Sequence, residues 1–105
     1  EIPEGFAIHE LSHAWHCLTY DPCWSGTRIM SAYAAAMSDD LYDSVAYLYG
    51  GDERAYAATD DAEYFAELSE AWFDSNDYFP FNRADVVVHD PVGANAVKNS
   101  WSRVP

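Results

Sequence analysis

Apolar side chains spaced three or four residues apart predict that this chain is mainly helical. Ile8, Leu11, Trp15 and Leu18 follow that spacing and predict a first helix over residues 3–17, with these four side chains forming its buried stripe. A proline in the opening turn suits this start, because the N–H that proline lacks has no partner in the first turn of a helix.

The second helix is predicted by its alanine-rich composition, and the last helix by an Asp-Pro sequence that is typical of a helix start. The second helix, over residues 27–38, is rich in alanine, whose small side chain allows another helix to approach closely. Its packing stripe consists of the larger apolar residues, Ile29, Met30, Tyr33 and Met37. The last helix is predicted over residues 90–101, with Asp90 as its N-cap and Pro91 as its first helical residue.

Between these two helices, a third helix is predicted over residues 60–73. Thr59 or Asp60 can cap its first turn. The segment that follows it, residues 74–90, has the pattern of mostly irregular structure rich in aromatic side chains. Within that segment we expect residues 86–88, three consecutive valines, to be extended, because β-branched side chains favour strands.

A short β-hairpin is predicted just before the third helix. The aromatic segments 47–49 and 54–56 flank the turn-forming residues 50–53, Gly-Gly-Asp-Glu. Such a hairpin would deliver Tyr56 to the start of the third helix. The whole pattern predicts a mainly α fold with a short β-hairpin, and residues 1–105 form a single domain with neither repeat nor linker.

The charge of the chain narrows the range of partners. Its formal net charge is −13 with only five Lys and Arg residues, so nucleic acid and anionic membrane surfaces are not expected as partners. No segment approaches the roughly 20 consecutive apolar residues of a transmembrane helix. Half of the residues are hydrophobic, which predicts a folded domain with one modest core.

The most informative motif is the sequence His9-Glu10-Leu11-Ser12-His13. Residues four apart lie on one face of a helix, so His9 and His13 can bind the same metal ion. Glu10 projects about 100° around the axis and can take a proton from a water molecule activated by that ion. The alternative is two partly buried histidines and a surface glutamate on an ordinary amphipathic helix.

A catalytic zinc ion usually takes three protein ligands and leaves one position for water, so a third ligand is expected elsewhere in the chain. Glu63, Glu67 and Glu70 form an acidic stripe on the predicted third helix, at spacings of four and three residues. A histidine stripe on one helix and a carboxylate stripe on another can form a two-helix zinc site. The alternative for these glutamates is a solvated helix face.

These two motifs together resemble the zinc-binding half of the metallopeptidases related to the catalytic domain of anthrax lethal factor, zincins whose third ligand is glutamate. The resemblance covers residues 4–73, and the most similar segment is 55–67, with the sequence AYAATDDAEYFAE. Residues 76–83 also resemble the segment that follows the glutamate helix in related zincin-like proteins. The resemblance implies a zincin-like helical core and the activity of a zinc-dependent peptide hydrolase.

The resemblance also implies a role for each matching residue. His9, His13 and Glu63 would bind Zn²⁺, Glu10 would be the general base, and Tyr56 would stabilise the tetrahedral intermediate. Glu67 would accept a hydrogen bond from a ligating imidazole. Zincin peptidases carry an upstream β-sheet whose edge strand holds the substrate. Because this chain begins almost at the first helix, we expect either a fragment lacking that sheet or a reduced substrate cleft.

Cys17 and Cys23 are close enough in sequence to form a disulfide if the loop between them folds back. A disulfide would imply an oxidising compartment and hence a secreted or extracellular protein. Two free buried thiols are equally compatible with the sequence. A structural zinc site made by these cysteines with His13 or His16 is a further, less favoured alternative, because the spacing matches no familiar framework.

Three other polar residues were weighed as functional candidates. His16 lies on the same helix face as His9 but about 10 Å along the axis, so packing is favoured over metal ligation. His89 is expected at the surface rather than at a metal. Arg83 is expected to pair with an acidic residue of the protein, and the alternative is binding of a substrate carboxylate.

Three functions remain open from the sequence. The favoured one is a zinc metalloendopeptidase acting on a peptide or protein substrate, with zinc preferred because nitrogen and carboxylate donors are mixed. The second is a non-catalytic binding module that zinc stabilises. The third is a metal-free interaction domain in which His9 and Glu63 merely form a hydrogen bond.

Overall fold

The computed structural model describes residues 4–20 and 26–103. Within these residues the chain forms five α-helices, a two-stranded antiparallel hairpin and one 3-10 turn. The helices are α1 Glu4–Thr19, α2 Thr27–Ser38, α3 Asp61–Phe73, α4 Arg83–His89 and α5 Pro91–Trp101. The strands are β1 Val45–Ala46 and β2 Asp52–Glu53, and the 3-10 turn is Tyr56–Ala58. The predicted class, mainly α with a short β-hairpin, is confirmed.

Helix α3 lies at the centre of the fold, with α1, α2, α4 and α5 all packed against it. A stack of aromatic rings joins three of these helices, because the Trp101 ring of α5 stacks on Trp15 of α1 at 5.7 Å and on Phe65 of α3 at 5.9 Å. The indole N–H of Trp101 donates to the Ser69 hydroxyl at 2.9 Å. Stacked, hydrogen-bonded indoles of this kind fix how α1 and α5 sit on α3.

The predicted buried stripe of α1 is partly wrong. Leu11 and Leu18 are 64% and 81% exposed, whereas Ser12 and His16 are fully buried. The buried Ser12 hydroxyl has a hydrogen-bond partner within α1, because it donates to the Ile8 carbonyl at 2.7 Å. Helix α1 therefore turns its histidine face, rather than its leucine face, towards α3, because α3 offers carboxylates as partners for imidazoles.

The predicted packing stripe of α2 is also partly wrong. Ile29 is buried as expected, but Met30 is 49% exposed, and the fully buried positions are Ala32 and Ala36. Tyr33 is half buried and donates its phenol hydrogen to the Ala58 carbonyl at 3.0 Å. The small side chains thus form the contact surface, because they let the α2 backbone come close to its neighbours.

The hairpin is present but lies earlier in the chain than predicted. Of residues 47–49, expected as a strand, Tyr47 forms an isolated β-bridge with Tyr78, and residues 48–49 belong to the turn, because Gly50 and Gly51 both have positive φ (121° and 72°) and reverse the chain at once. The Tyr47 N–H donates to the Gly51 carbonyl at 2.9 Å and closes this turn. Tyr56 consequently opens the 3-10 turn that leads into α3, rather than ending a strand.

The prediction of an extended segment at residues 86–88 is wrong, because these valines belong to α4. The Asn82 side chain accepts a hydrogen bond from the Asp85 N–H at 3.0 Å and starts the helix. Val86 is fully buried while Val87 and Val88 are exposed. A strand would place Val86 and Val88 on the same face, so burial of one valine in three fits a helix.

The two predicted N-caps are confirmed. The Asp60 carboxylate accepts from the Glu63 N–H at 2.8 Å, and the Asp90 carboxylate accepts from the Gly93 N–H at 2.8 Å, with Pro91 at the first helical position. These caps supply partners for backbone N–H groups that have none within the helix. Asp60 also begins α3 at the point that brings Glu63 into the first turn.

Asp90 has a second role that the sequence did not suggest. Its carboxylate is only 2% exposed and accepts hydrogen bonds from the phenols of Tyr42 at 2.8 Å and Tyr64 at 2.6 Å. Burial, and then the nearby Asp90 charge, raises the pKa of both phenols well above the usual value. A β-carbon at Gly93 would collide with the Tyr64 phenol oxygen, so glycine is required where α5 crosses this cluster.

Candidate metal centre

The structure brings together the three residues predicted as metal ligands. His9 and His13 lie one turn apart on α1, and Glu63 lies in the first turn of α3, which packs along α1. Their ligand atoms all lie within 4.8 Å of one another, and all three side chains are half buried. A group of this size and composition fits a single metal ion.

The distances within this group are shorter than the edges of a zinc coordination sphere but of the same order. His9 Nε2 lies 3.1 Å from His13 Nε2 and 3.1 Å from Glu63 Oε2. His13 Nε2 lies 2.6 Å from Glu63 Oε1. Zinc–ligand bonds of about 2.1 Å in a tetrahedron place neighbouring donor atoms about 3.4 Å apart. The spacing is slightly tighter than that, so a small outward adjustment of the side chains admits the ion.

The chemistry of these atoms also calls for a cation between them. His9 directs its other nitrogen, Nδ1, to the Glu67 carboxylate at 3.2 Å, which places the proton of a neutral ring on Nδ1. The lone pair on Nε2 then faces the Glu63 carboxylate and the His13 nitrogen. Electron pairs converging in this way are stabilised by a shared proton or by a metal ion.

Glu67 therefore lies where the sequence resemblance implied. It is 5% exposed, and its Oε2 lies 3.2 Å from Nδ1 of His9, the ring nitrogen that does not face Glu63. A carboxylate in this position fixes the orientation of an imidazole and makes its other nitrogen a better metal ligand. The interpretation of this stripe as a solvated helix face is wrong for Glu67, because α1 covers it.

Glu70 is a further carboxylate on the same side of His9, and sequence reasoning gave it no specific role. It is 8% exposed, and its Oε2 lies 3.6 Å from His9 Nδ1, an ion-pair distance too long for a hydrogen bond. Burial is the main factor that raises the pKa of Glu70, to about 8. Its spacing of seven residues from Glu63 is the sequence signal that placed it on this face.

The charges at the centre are strongly unbalanced without a cation. Glu63, Glu67 and Glu70 converge on His9, and within the described residues their ion pairs are with histidine alone. The nearby carboxylates of Glu67 and then Glu70, which stabilise the protonated ring, raise the pKa of His9 to about 10. In the absence of a metal ion the ring therefore carries an extra proton at neutral pH, which a divalent cation would displace.

Tyr56 lies beside these ligands. Its ring centroid is 6.2 Å from that of His9, and its side chain is 48% exposed. The nearby Glu63 carboxylate is the main factor that raises the pKa of the Tyr56 phenol. The phenol thus keeps its proton at neutral pH and can donate a hydrogen bond to a group bound at the centre.

Glu10 is exposed on the adjoining face of α1. Within the described part of the chain it forms neither a hydrogen bond nor an ion pair, so its carboxylate can rotate towards a ligand of the metal centre. The structure leaves the role predicted for Glu10 open, because the direction of this side chain is not fixed by any contact.

His16 is not part of the metal centre. It is fully buried, with its ring 4.9 Å from that of Phe65 and 5.7 Å from that of Tyr20. Burial lowers the pKa of His16 to about 4, so the ring is neutral at physiological pH. This position fits the packing role favoured from the sequence.

The expectations for His89 and Arg83 need correction. His89 is half buried, and its Nε2 lies 2.8 Å from the Leu41 carbonyl, so it holds α4 to the segment after α2 rather than lying free at the surface. Arg83 donates to the Trp72 carbonyl at 2.8 Å and stacks on the Trp72 ring at 4.4 Å. It is structural as expected, but its partner is an aromatic residue rather than an acid.

Cys17 is disulfide-bonded. Its expected partner, Cys23, lies outside the described residues, and so does the loop between them. A sulfur held in a disulfide is not a thiolate ligand, so the alternative of a structural zinc site that includes Cys17 is wrong.

Comparisons with known proteins leave the family open. No family model, curated protein or solved structure matches this chain. Membership of the zincin metallopeptidases therefore stays a prediction from the two motifs. Among the described residues, none of the helices is both long enough and apolar enough to cross a membrane.

Proposed function

We propose that this chain is a zinc-dependent peptide hydrolase whose ligands are His9, His13 and Glu63. The observation that carries the proposal is the convergence of these three side chains from two helices, with Glu67 behind His9. Two histidines, one carboxylate and a carboxylate-oriented imidazole are the donor set of a catalytic rather than a purely structural zinc site.

A zinc ion bound there would polarise a substrate carbonyl and lower the pKa of a water molecule towards neutrality. Glu10 takes the proton from the attacking water and later passes it to the leaving amine. Tyr56 donates a hydrogen bond to the oxygen that becomes negatively charged, an interaction of a kind worth about 3 kcal/mol. Tyr56 and Glu10 are both exposed, the Tyr56 ring lies 6.2 Å from that of His9, and Glu10 directly follows His9 in α1, which supports this division of roles.

The protein would act outside the cytosol. A disulfide at Cys17 is stable in an oxidising compartment and rare in a reducing one. Together with the net charge of −13, this favours a secreted enzyme acting on peptides or proteins rather than on nucleic acid.

The replacement Glu10→Gln tests the proposed mechanism. It preserves the shape of the side chain and removes the base, so we expect unchanged zinc content and loss of at least about 99% of the cleavage rate on a peptide library. Zinc is measured by elemental analysis and cleavage by mass spectrometry. Asp43→Asn is the matched control, because Asp43 is an exposed carboxylate that, within the described residues, forms no ion pair with His9 or His13.

Undiminished cleavage by the Glu10→Gln variant would remove Glu10 from the mechanism. A wild-type protein that binds zinc but cleaves no member of the library would exclude the hydrolase. Tyr56→Phe adds an independent check, because loss of the phenol should lower kcat with little effect on zinc affinity.

A second function, a binding module that zinc stabilises, is favoured by one observation. The ligands join α1 to α3, so an ion would cross-link the two helices whose packing organises the core. In that case zinc would raise the melting temperature of both the wild type and the Glu10→Gln variant, while neither cleaves a peptide.

A further inference from the structure

Three tyrosines, one exposed and two half buried, form a cluster beside the hairpin. The Tyr47 ring lies 4.8 Å from that of Tyr78 and 5.4 Å from that of Tyr49, centroid to centroid. Backbone pairing between Tyr47 and Tyr78 fixes this contact, and Tyr49 is 73% exposed. Tyr47 and Tyr78 are half buried, so the cluster is held in place while Tyr49 and the accessible parts of the other two rings can contact a ligand.

Carboxylates accompany these rings. Glu53 pairs with Val45 across the hairpin and so shares the sheet face of Tyr47, two residues on from Val45. Asp77 precedes Tyr78, and its carbonyl accepts from the Leu48 N–H at 2.7 Å. Besides burial, the charges of Glu53 and Asp77 raise the pKa of the phenols of Tyr47 and Tyr78. We call Tyr47, Tyr49, Tyr78, Glu53 and Asp77 the tyrosine patch.

This patch lacks a cation of its own within the described residues. Neither carboxylate forms an ion pair there, and the cation–π contacts of the described residues, made by Arg83 and Arg103, lie on Trp72 and Tyr20. Aromatic faces beside unpaired carboxylates attract guanidinium and ammonium groups. In a chain of net charge −13, an external cation is the complementary ligand.

The tyrosine patch also lies close to the metal centre. After burial, Glu67 is one of the nearby charges that raise the pKa of the Tyr78 phenol, and the Glu67 carboxylate lies 3.2 Å from His9 Nδ1. The strand β2 that carries Glu53 ends three residues before Tyr56, which lies beside His9. A peptide that crosses the metal centre in an extended conformation therefore has residues within reach of the patch.

We infer that the tyrosine patch binds an arginine or lysine side chain of the peptide substrate and so determines specificity. Arginine is the better fit, because its planar guanidinium stacks on tyrosine and can be hydrogen-bonded by Glu53 or Asp77. This inference rests on the proposed peptide hydrolase for its substrate class, but the patch can bind a cation whether or not cleavage follows.

The test compares two labelled hexapeptide amides that differ at one position, arginine against citrulline, which has nearly the same shape without the charge. Their dissociation constants are measured by fluorescence anisotropy on the zinc-loaded Glu10→Gln variant, in which cleavage does not interfere. We expect the arginine peptide to bind at least about fivefold more tightly. Adding Glu53→Gln or Tyr49→Leu should bring that ratio close to one, and adding Leu48→Ala, an exposed neighbour, should preserve it.

Equal affinity for the two peptides, no binding of either, or a preference that survives both Glu53→Gln and Tyr49→Leu would overturn the inference. Melting temperatures confirm that each variant is folded. One mixed outcome is an arginine preference that Glu53→Gln and Tyr49→Leu abolish, together with a wild type that cleaves neither peptide. That outcome supports the tyrosine patch and contradicts the peptide hydrolase. If the wild type cleaves both peptides at equal rates and binds them equally, the hydrolase stands and the patch fails.

Discussion

At the scale of single residues, His9 is the side chain on which the site depends. Its Nε2 lies 3.1 Å from both His13 and Glu63, and its Nδ1 lies 3.2 Å from Glu67. One ring thus joins the proposed metal ligands to the carboxylate behind them. Spacing pointed to His9 and His13 as ligands and left three glutamates as candidates for the third ligand. Glu63 and Glu67 received their predicted roles only by resemblance, because spacing does not show which nitrogen faces which carboxylate.

The raised pKa values at this site predict how the metal-free protein responds to pH. His9 titrates near 10 in the fold against 6.5 ordinarily, and Glu70 near 8 against 4.5, so the folded state holds more protons than the unfolded state. Stability from His9 is complete below pH 6.5 and is lost as pH rises towards 10, and the cost of ionising buried Glu70 grows from pH 4.5 to 8. The pKa of His16 is near 4 in the fold against 6.5 ordinarily, so this residue makes the folded state more stable as pH rises from 4 to 6.5.

These effects add up to a stability that changes little between pH 4.5 and 6.5 and then falls between pH 6.5 and 10. Urea denaturation in the presence of a chelator, repeated at each pH, measures this slope. The His9→Gln variant should lose most of the fall above pH 6.5. A wild-type curve that is flat or rises over that range would contradict the proton uptake attributed to His9 and Glu70.

At the scale of elements, periodicity found the helices better than it found their buried faces. The spacing of Leu11 and Leu18 matched a buried stripe as well as that of Ser12 and His16 did, yet the leucines are exposed. The face of α1 that is buried depends on α3, whose carboxylates pair with histidine. The sequence pattern of one helix does not show which residues its neighbour presents. Residues 86–88 show the same limit, because the cap from Asn82 outweighed the strand preference of valine.

Asp90 and Asn82 allow a matched test of two helix caps. Asn82→Ala removes one exposed cap and should lower the free energy of unfolding by about 1 kcal/mol. Asp90→Ala removes a cap and leaves the buried phenols of Tyr42 and Tyr64 without their acceptor, so we expect a loss of about 3 kcal/mol or more. Denaturant unfolding of both variants gives the two values, and equal losses would contradict a core role for Asp90.

At the scale of the whole molecule, the candidate metal centre and the aromatic core are two means of joining the same helices. Trp101 stacks on Trp15 of α1 and Phe65 of α3, and elsewhere along the same contact the imidazoles of α1 meet the carboxylates of α3. The sequence predicted the mainly α class and both caps, since these depend on local spacing, and it singled out His9, His13 and Glu63, which the structure brings together. It missed the shifted hairpin and the Asp90 cluster, since these depend on a tight glycine turn and on phenols distant in sequence.

The most direct test of this account is the zinc affinity of the purified chain, measured by competition with a fluorescent chelator. We predict one tightly bound zinc ion per wild-type chain, binding at least about 100-fold weaker in His13→Ala and Glu63→Gln, and unchanged binding in Glu53→Gln. A wild-type chain that binds no zinc, or a Glu63→Gln variant that binds it as tightly as the wild type, would contradict the proposed metal centre.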